Sequence, residues 1–190
     1  MKNDNINIIV LGESEKYLND QRVRWIYENL YSEYKNFEVK VINDKIVIYG
    51  DILIPCEYEE LPYKIDEIYG NVVIDNIKDP IRYGNLKSLK NFPTVIHGDF
   101  KCKMNLNLTS LNDGPEQIYG DFICVGGGLT NIKGMPKYIS GNFIVYKNKI
   151  NDLSPVLESK ICGLIDAQYN PCESTDLYKE LYKRNKISSL

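Results

Sequence analysis

A single motif recurs six times along this chain and restricts the folds open to it. Isoleucine stands two before a glycine, and apolar residues follow two and four after it. The anchors are Gly50, Gly70, Gly98, Gly120, Gly141 and Gly163, at intervals of 20, 28, 22, 21 and 22 residues. The sets read Ile48/Gly50/Ile52/Ile54, Ile68/Gly70/Val72/Ile74, Ile96/Gly98/Phe100/Cys102, Ile118/Gly120/Phe122/Cys124, Ile139/Gly141/Phe143/Val145 and Ile161/Gly163/Ile165/Ala167. The one long interval contains the extra segment KDPIRYGN, which reads as an inserted loop.

Alternation with a period of two places each set on one face of a strand. A unit of this length cannot bury that face alone, but stacked neighbours bury it together, and this is the condition that builds a solenoid. Six parallel strands at the usual spacing span about 25 Å. The anchor glycine is expected to allow a bend and to leave room for a large neighbouring side chain. Pro93, Pro115 and Pro136 lie five before an anchor, and Pro62 and Pro155 eight before one. Having no amide donor, they mark the connecting arc rather than the ladder. Leu108/Leu111, Leu129/Ile132 and Ile150/Leu153 give that arc its own apolar column. Asn105, Asn148 and Asn170 stand seven after their anchors, where an inward amide can bond backbone groups of adjoining turns; Gly127 interrupts that column.

FICVGGGL and FIVYKNKI resemble the leucine-rich-repeat pattern L-x-L-x-x-N-x-L, with Phe and Cys or Val in place of the first two leucines. The fuller stretch GDFKCKMNLNLTSLNDGP is similar to short tandem repeats of uncharacterised tailed-bacteriophage proteins. The likeness is good over 92–153, weaker over 46–91 and absent at both ends. It departs from the fuller leucine-rich pattern just ahead of the anchor, where Tyr49, Tyr69, His97, Tyr119 and Ser140 replace aliphatics. The resemblance implies a scaffold, and a virus-encoded protein at work in the cytoplasm of a bacterial host. Such scaffolds serve many partners.

Both ends read as caps, which a solenoid needs to cover its terminal rungs. INIIVLG reads as a strand. The segment after it carries Leu18, Val23, Ile26, Tyr27, Leu30 and Tyr34 at helical spacing, with Trp25 as an anchor on the first rung. FEVKVINDKIVIYG reads as two strands turning near Asn43–Asp44. Near the C-terminus, Ser174 or Thr175 caps a helix whose apolar face is Leu177, Tyr178, Leu181 and Tyr182. The expected fold is α+β: a leucine-rich-repeat-like β-solenoid of about six rungs over 46–172, an N-terminal β-α-β-β cap with 1–45 as its unit, and a C-terminal capping helix over 173–190, all in one domain.

The chain has 190 residues, 43% hydrophobic and 26% charged, values of an ordinary globular domain. A net charge of -3 gives no general attraction for phosphate backbones, so nucleic-acid binding is not expected. No apolar run reads as a signal peptide or a membrane span, and five cysteines without CxxC spacing read as free thiols of a cytoplasmic protein. Cys102 and Cys124 share an inward position on consecutive rungs and read as small buried hydrophobes. VGGGL lacks the Lys-Ser/Thr of a phosphate loop, and the acidic run CEYEELPYKIDE reads as solvated carboxylates. His97 is the one histidine and no nucleophile is tied to it by spacing, so no catalytic role, metal or cofactor is expected.

The outward positions carry the functional expectation. Tyrosines and aliphatics interleave there with Asp, a composition closer to a recognition surface than to a solvated face. The candidate protein-binding residues are Tyr69, Asp99, Lys101, Tyr119, Asp121, Ile123, Ile144 and Tyr146. The reading is a non-catalytic protein-binding module, and with the resemblance an inhibitor of a host defence complex of the anti-CRISPR kind. The alternatives are a virion structural or assembly protein, a leucine-rich-repeat adaptor, and an enzyme with a dispersed site of His97, Asp99 and Asp121.

Overall fold

The structure, a computed structural model, describes residues 19–30, 37–75 and 83–183. The INIIVLG segment, Leu18, Tyr34 and most of the inserted loop lie outside them. The elements are α1 (Gln21–Asn29), β1 (Glu38–Ile42), β2 (Lys45–Tyr49), β3 (Ile52–Pro55), β4 (Glu67–Tyr69), β5 (Val72–Asp75), β6 (Val95–Ile96) and β7 (Phe100–Lys103). There follow β8 (Gln117–Ile118), β9 (Phe122–Val125), β10 (Tyr138–Ile139), β11 (Phe143–Ile144), β12 (Lys160–Ile161), β13 (Ile165–Asp166) and α2 (Asp176–Lys183).

The fold is the expected solenoid, of about five full turns with a helix near each end. Each rung, however, holds two short strands rather than one. The chain breaks at the anchor glycine, and the strands before and after it join different sheets. One sheet has seven strands in the order β1-β2-β4-β6-β8-β10-β12, the other six in the order β13-β11-β9-β7-β5-β3. Apart from the β1–β2 hairpin, all neighbours are parallel and in register. Alternation survives the break, because residues two before, two after and four after the glycine still point inward. Ile48, Ile68, Ile96, Ile118 and Ile139 are fully buried, and so are Phe100, Phe122 and Phe143. The three phenylalanine rings stack, with centroids 5.1 and 5.2 Å apart. Their packing forms the middle of a core that continues along the arc through Leu108, Leu111, Leu129, Ile132, Ile150 and Leu153.

The glycine is required by backbone rather than by a bulky side chain. A Cβ on Gly120 would lie 2.6 Å from the carbonyl carbon of Gly98, and one on Gly98 would lie 2.6 Å from the carbonyl oxygen of Gly70. Successive corners rest directly on one another, and only a residue without a side chain fits between them.

The buried asparagines do what their position predicts. Asn148 accepts the N–H groups of Gly127 and Leu129 and donates to the carbonyls of Cys124, Val145 and Tyr146. Asn170 accepts from Ile150 and donates to Val145, Ala167 and Gln168, and Asn105 accepts from Leu86 and donates to Lys103. Among the described residues, no buried side-chain polar atom lacks a partner. Gly127 interrupts the column without loss, because Asn148 reaches back to its amide.

The hairpin turns through Asn43 and Asp44, both at positive φ, as a two-residue turn between antiparallel strands requires. Its second strand, β2, is also the first strand of the solenoid, so the N-terminal unit and the coil share an element. The side chain of Asp20 caps α1 by accepting the Arg22 N–H at 2.8 Å. Val23, Ile26 and Leu30 are buried, and the Trp25 ring meets Tyr58 and Tyr63 of the first arc edge-on. At the other end Thr175, rather than Ser174, caps α2, its hydroxyl accepting from Tyr178 N–H. Tyr178 and Leu181 are buried beneath the last rung, whereas Tyr182 is exposed and does not belong to the apolar face.

Candidate functional site

Splitting each rung at the glycine splits the outward surface as well. Tyr69 ends β4 of the seven-stranded sheet and Tyr119 directly follows its β8, both just before the corner. Lys101, Ile123 and Ile144 lie on the six-stranded sheet, just after it, half-buried in a row with Leu53 and Val73. Tyr146 follows β11, and its ring meets Tyr169 edge-on. The candidate residues therefore occupy two faces that meet at a corner rather than the single face the strand pattern predicts.

Asp99 and Asp121 stand at that corner, and their side chains link one rung to the next. The Oδ1 of each such residue accepts the backbone N–H of its successor: Asn71 to Asp51 at 2.7 Å, Asp99 to Asn71 at 2.8 Å, Asp121 to Asp99 at 2.8 Å and Asn142 to Asp121 at 2.7 Å. Leu164 donates to Asn142 at 2.9 Å and ends the series, since it has no acceptor for a further rung. These bonds satisfy amides that the bend removes from both sheet ladders. Burial would raise the Asp99 carboxyl, but hydrogen bonds from Lys101 and the Asp121 amide outweigh it and hold the group below its ordinary value. The Lys101 ammonium lies 2.8 Å from Asp99.

Before the corner, four rings form one stack. Tyr49 and Tyr69 are 4.9 Å apart, Tyr69 and His97 4.0 Å, and His97 and Tyr119 5.1 Å, with planes within 9° of parallel in each pair. Tyr138 continues the row at 5.3 Å with a tilted ring. In-register pairing of β2, β4, β6 and β8 at sheet spacing sets this repeat. The Glu67 carboxylate braces the stack from the side, 2.6 Å from the His97 Nε2, and it raises the Tyr69 hydroxyl pKa by hydrogen bonding and charge. Lys40 covers the Tyr49 ring at 5.2 Å, and Lys160 covers Tyr138 at 5.6 Å. Ring faces are thus occupied by one another or by lysine, and the stack turns its edges and hydroxyls to solvent. A ligand that must lie flat on an aromatic ring finds no room here.

No protein-family model matches this chain, and neither does any curated protein or solved structure. The chemistry of the site therefore rests on its own geometry.

Of the residues named for a dispersed enzyme site, Asp99 and Asp121 are joined at the corner, and the side-chain bond that His97 makes is to Glu67. Asp99 is also engaged by Lys101. Cys102 and Cys124 are neighbours in register and buried, and Cys102 as a hydrogen-bond partner, together with burial, pushes the Cys124 thiol well above its ordinary value, away from the reactive thiolate. Among the described residues no group of three or more His, Cys, Asp or Glu could hold a metal ion, and no helix is long and apolar enough to cross a membrane. Glu67, Tyr138, Lys40 and Lys160 are members of the aromatic row that the strand pattern did not single out. Glu67, Tyr138 and Lys160 all stand three before an anchor, the position whose side chains flank the ring column.

Proposed function

We propose that this chain is a non-catalytic protein-binding module that engages its partner with the corner surface, through the ring row of Tyr69, His97 and Tyr119 and the neighbouring Ile123 and Ile144. The observation that carries this reading is the exposed stack. Tyr69 and Tyr119 leave 44% and 46% of their surface to solvent, yet stacking and Glu67 already fix their positions. Rigid tyrosines give large contact area with little conformational entropy left to lose, the property of residues that dominate protein interfaces.

The narrower reading is a virus-encoded inhibitor of a host defence complex of the anti-CRISPR kind, acting in the host cytoplasm. Its support is the resemblance of 92–153 to bacteriophage repeats. A protection assay tests it: cells expressing the chain become permissive to an otherwise targeted phage or plasmid, and unchanged targeting rejects it.

Affinity capture from native or infected cells tests the wider reading. The expected result is a protein retained by the wild-type chain and lost with Tyr69→Ala/Tyr119→Ala, with the folded state of the variant confirmed by circular dichroism. A partner bound equally by that variant and by Ile123→Asp contradicts the assignment of the corner. A virion assembly role instead predicts concentration-dependent multimers that the same ring variant dissolves.

A further inference from the structure

Three of the described chain's features put one sheet edge out of line with the rest. The isoleucines two before each anchor are fully buried in rungs one to five, but Ile161 in β12 is only partly so. Leu157, just ahead of β12, is 67% exposed, and Leu164, just after it, is 46% exposed. Leu157 is the most exposed large apolar side chain among the described residues.

The backbone agrees with the side chains. Lys160 and Cys162 donate their N–H groups back to Lys137 and Ile139 of the preceding rung. Alternation along a strand then turns the N–H and C=O of Ile161 to the opposite, open side. At its other end the same sheet terminates in β1, a five-residue strand that pairs antiparallel with the coil's first strand β2 and lacks a comparable run of exposed leucines. Beside β12, the inward Ile165 of β13 and Ala167 just after it are buried in one cluster with Tyr178 and Leu181 of α2. An edge strand is often guarded by a lysine. Here Lys160 is drawn back over the Tyr138 ring.

We infer that the β12 edge is a self-association site, at which a second copy of this chain pairs its own β12 antiparallel about a two-fold axis through Ile161. This register is self-complementary. Ile161 of each copy exchanges both backbone hydrogen bonds with the other, and Lys160 faces the small neutral Cys162 rather than another lysine. Leu157 precedes Ile161 by four residues and Leu164 follows it by three. A two-fold at Ile161 therefore brings the Leu157 side of one copy to the Leu164 side of the other, twice over. The rotation also carries the α2 and β13 side of each copy to opposite flanks of the new pair. A two-fold contact is closed, so it yields dimers and no longer assemblies.

Sedimentation equilibrium on the full chain, from low micromolar to millimolar concentration, tests this. The expected result is a reversible monomer–dimer equilibrium. Leu157→Asp/Leu164→Asp should weaken it by at least about tenfold, or roughly 1.4 kcal/mol. Ile161→Pro should do the same, because it removes the outward N–H while leaving the Lys160 and Cys162 amides in place. Circular dichroism checks that both variants remain folded. Tyr69→Ala/Tyr119→Ala should leave the equilibrium unchanged, which separates this site from the proposed partner surface. A wild-type monomer at the highest concentration, a dimer indifferent to both variants, or open-ended assembly would each overturn the inference.

Discussion

The Oδ1 of Asp99 accepts the backbone N–H of Asp121 at 2.8 Å, joining the third rung of the coil to the fourth at its glycine corner. Four further bonds of this kind run along the corner, so residues that look like surface polar groups act as fasteners between rungs.

Substitutions at the corner should divide by hydrogen-bonding capacity rather than by charge. Asp121→Ala leaves the Asn142 amide without its acceptor and is expected to lower stability by about 1–3 kcal/mol. Asp121→Asn should be nearly neutral, since Asn71 and Asn142 already serve at the same position. Chemical denaturation of the two variants checks the contrast; equal losses would refute the fastener role.

The Asp99 carboxyl gives this junction a pH dependence. Its value in the fold lies below the ordinary 3.8. A depressed carboxyl stabilises fully above its unfolded value, and the contribution is lost as pH falls through the folded one. Wild-type stability should therefore decline relative to Asp99→Asn on acidification from about pH 5 to pH 2. Denaturation midpoints measured at pH 7, 4 and 3 provide the test, and parallel curves would count against it.

Gly120→Ala is expected to be more damaging than its size implies. The added methyl would stand 2.6 Å from the backbone carbon of Gly98, so two rungs must separate. A loss of about 3 kcal/mol or more is anticipated, the upper range for point substitutions. Thermal melts against Gly126→Ala give the comparison: a Cβ there makes only an ordinary 3.8 Å contact with Met104 Cγ but sits at a φ of 65°, so its loss should be the smaller.

Asn148→Ala removes the acceptor for two amides and the donor to three carbonyls in the core. Unpaired buried groups are costly, and a loss of about 2–4 kcal/mol is expected. Hydrogen exchange should show the Gly127 and Leu129 amides losing protection before those of the phenylalanine strands. Unchanged protection at those two amides would show that the amide column is not what holds the arc.

The coil was legible in the sequence because its interior has a period of two on either side of the glycine, and Phe100, Phe122 and Phe143 meet where that period places them. The break into two sheets was not, because a corner at Gly–Asx leaves inward parity unchanged: Ile118 and Phe122 point inward whether the chain runs straight or bends. The fastening role of Asp99 and Asp121 was hidden for the same reason, since a straight strand would have turned them to solvent. Met104, Lys147 and Tyr169 adopt positive φ six after their anchors, where only Gly126 carries a sequence signal for it. The tyrosine column was visible as a composition, but that its rings stack and close off their own faces became apparent only from the register of four parallel strands.

Ring-to-ring nuclear Overhauser contacts among the phenylalanines test the stacked coil most directly. The account predicts cross-peaks between Phe100 and Phe122 and between Phe122 and Phe143, and none between Phe100 and Phe143, two rungs apart. Phe122→Ala should abolish both and reduce stability by about 3–5 kcal/mol. Cross-peaks missing from either adjacent pair in the folded wild-type chain would contradict it.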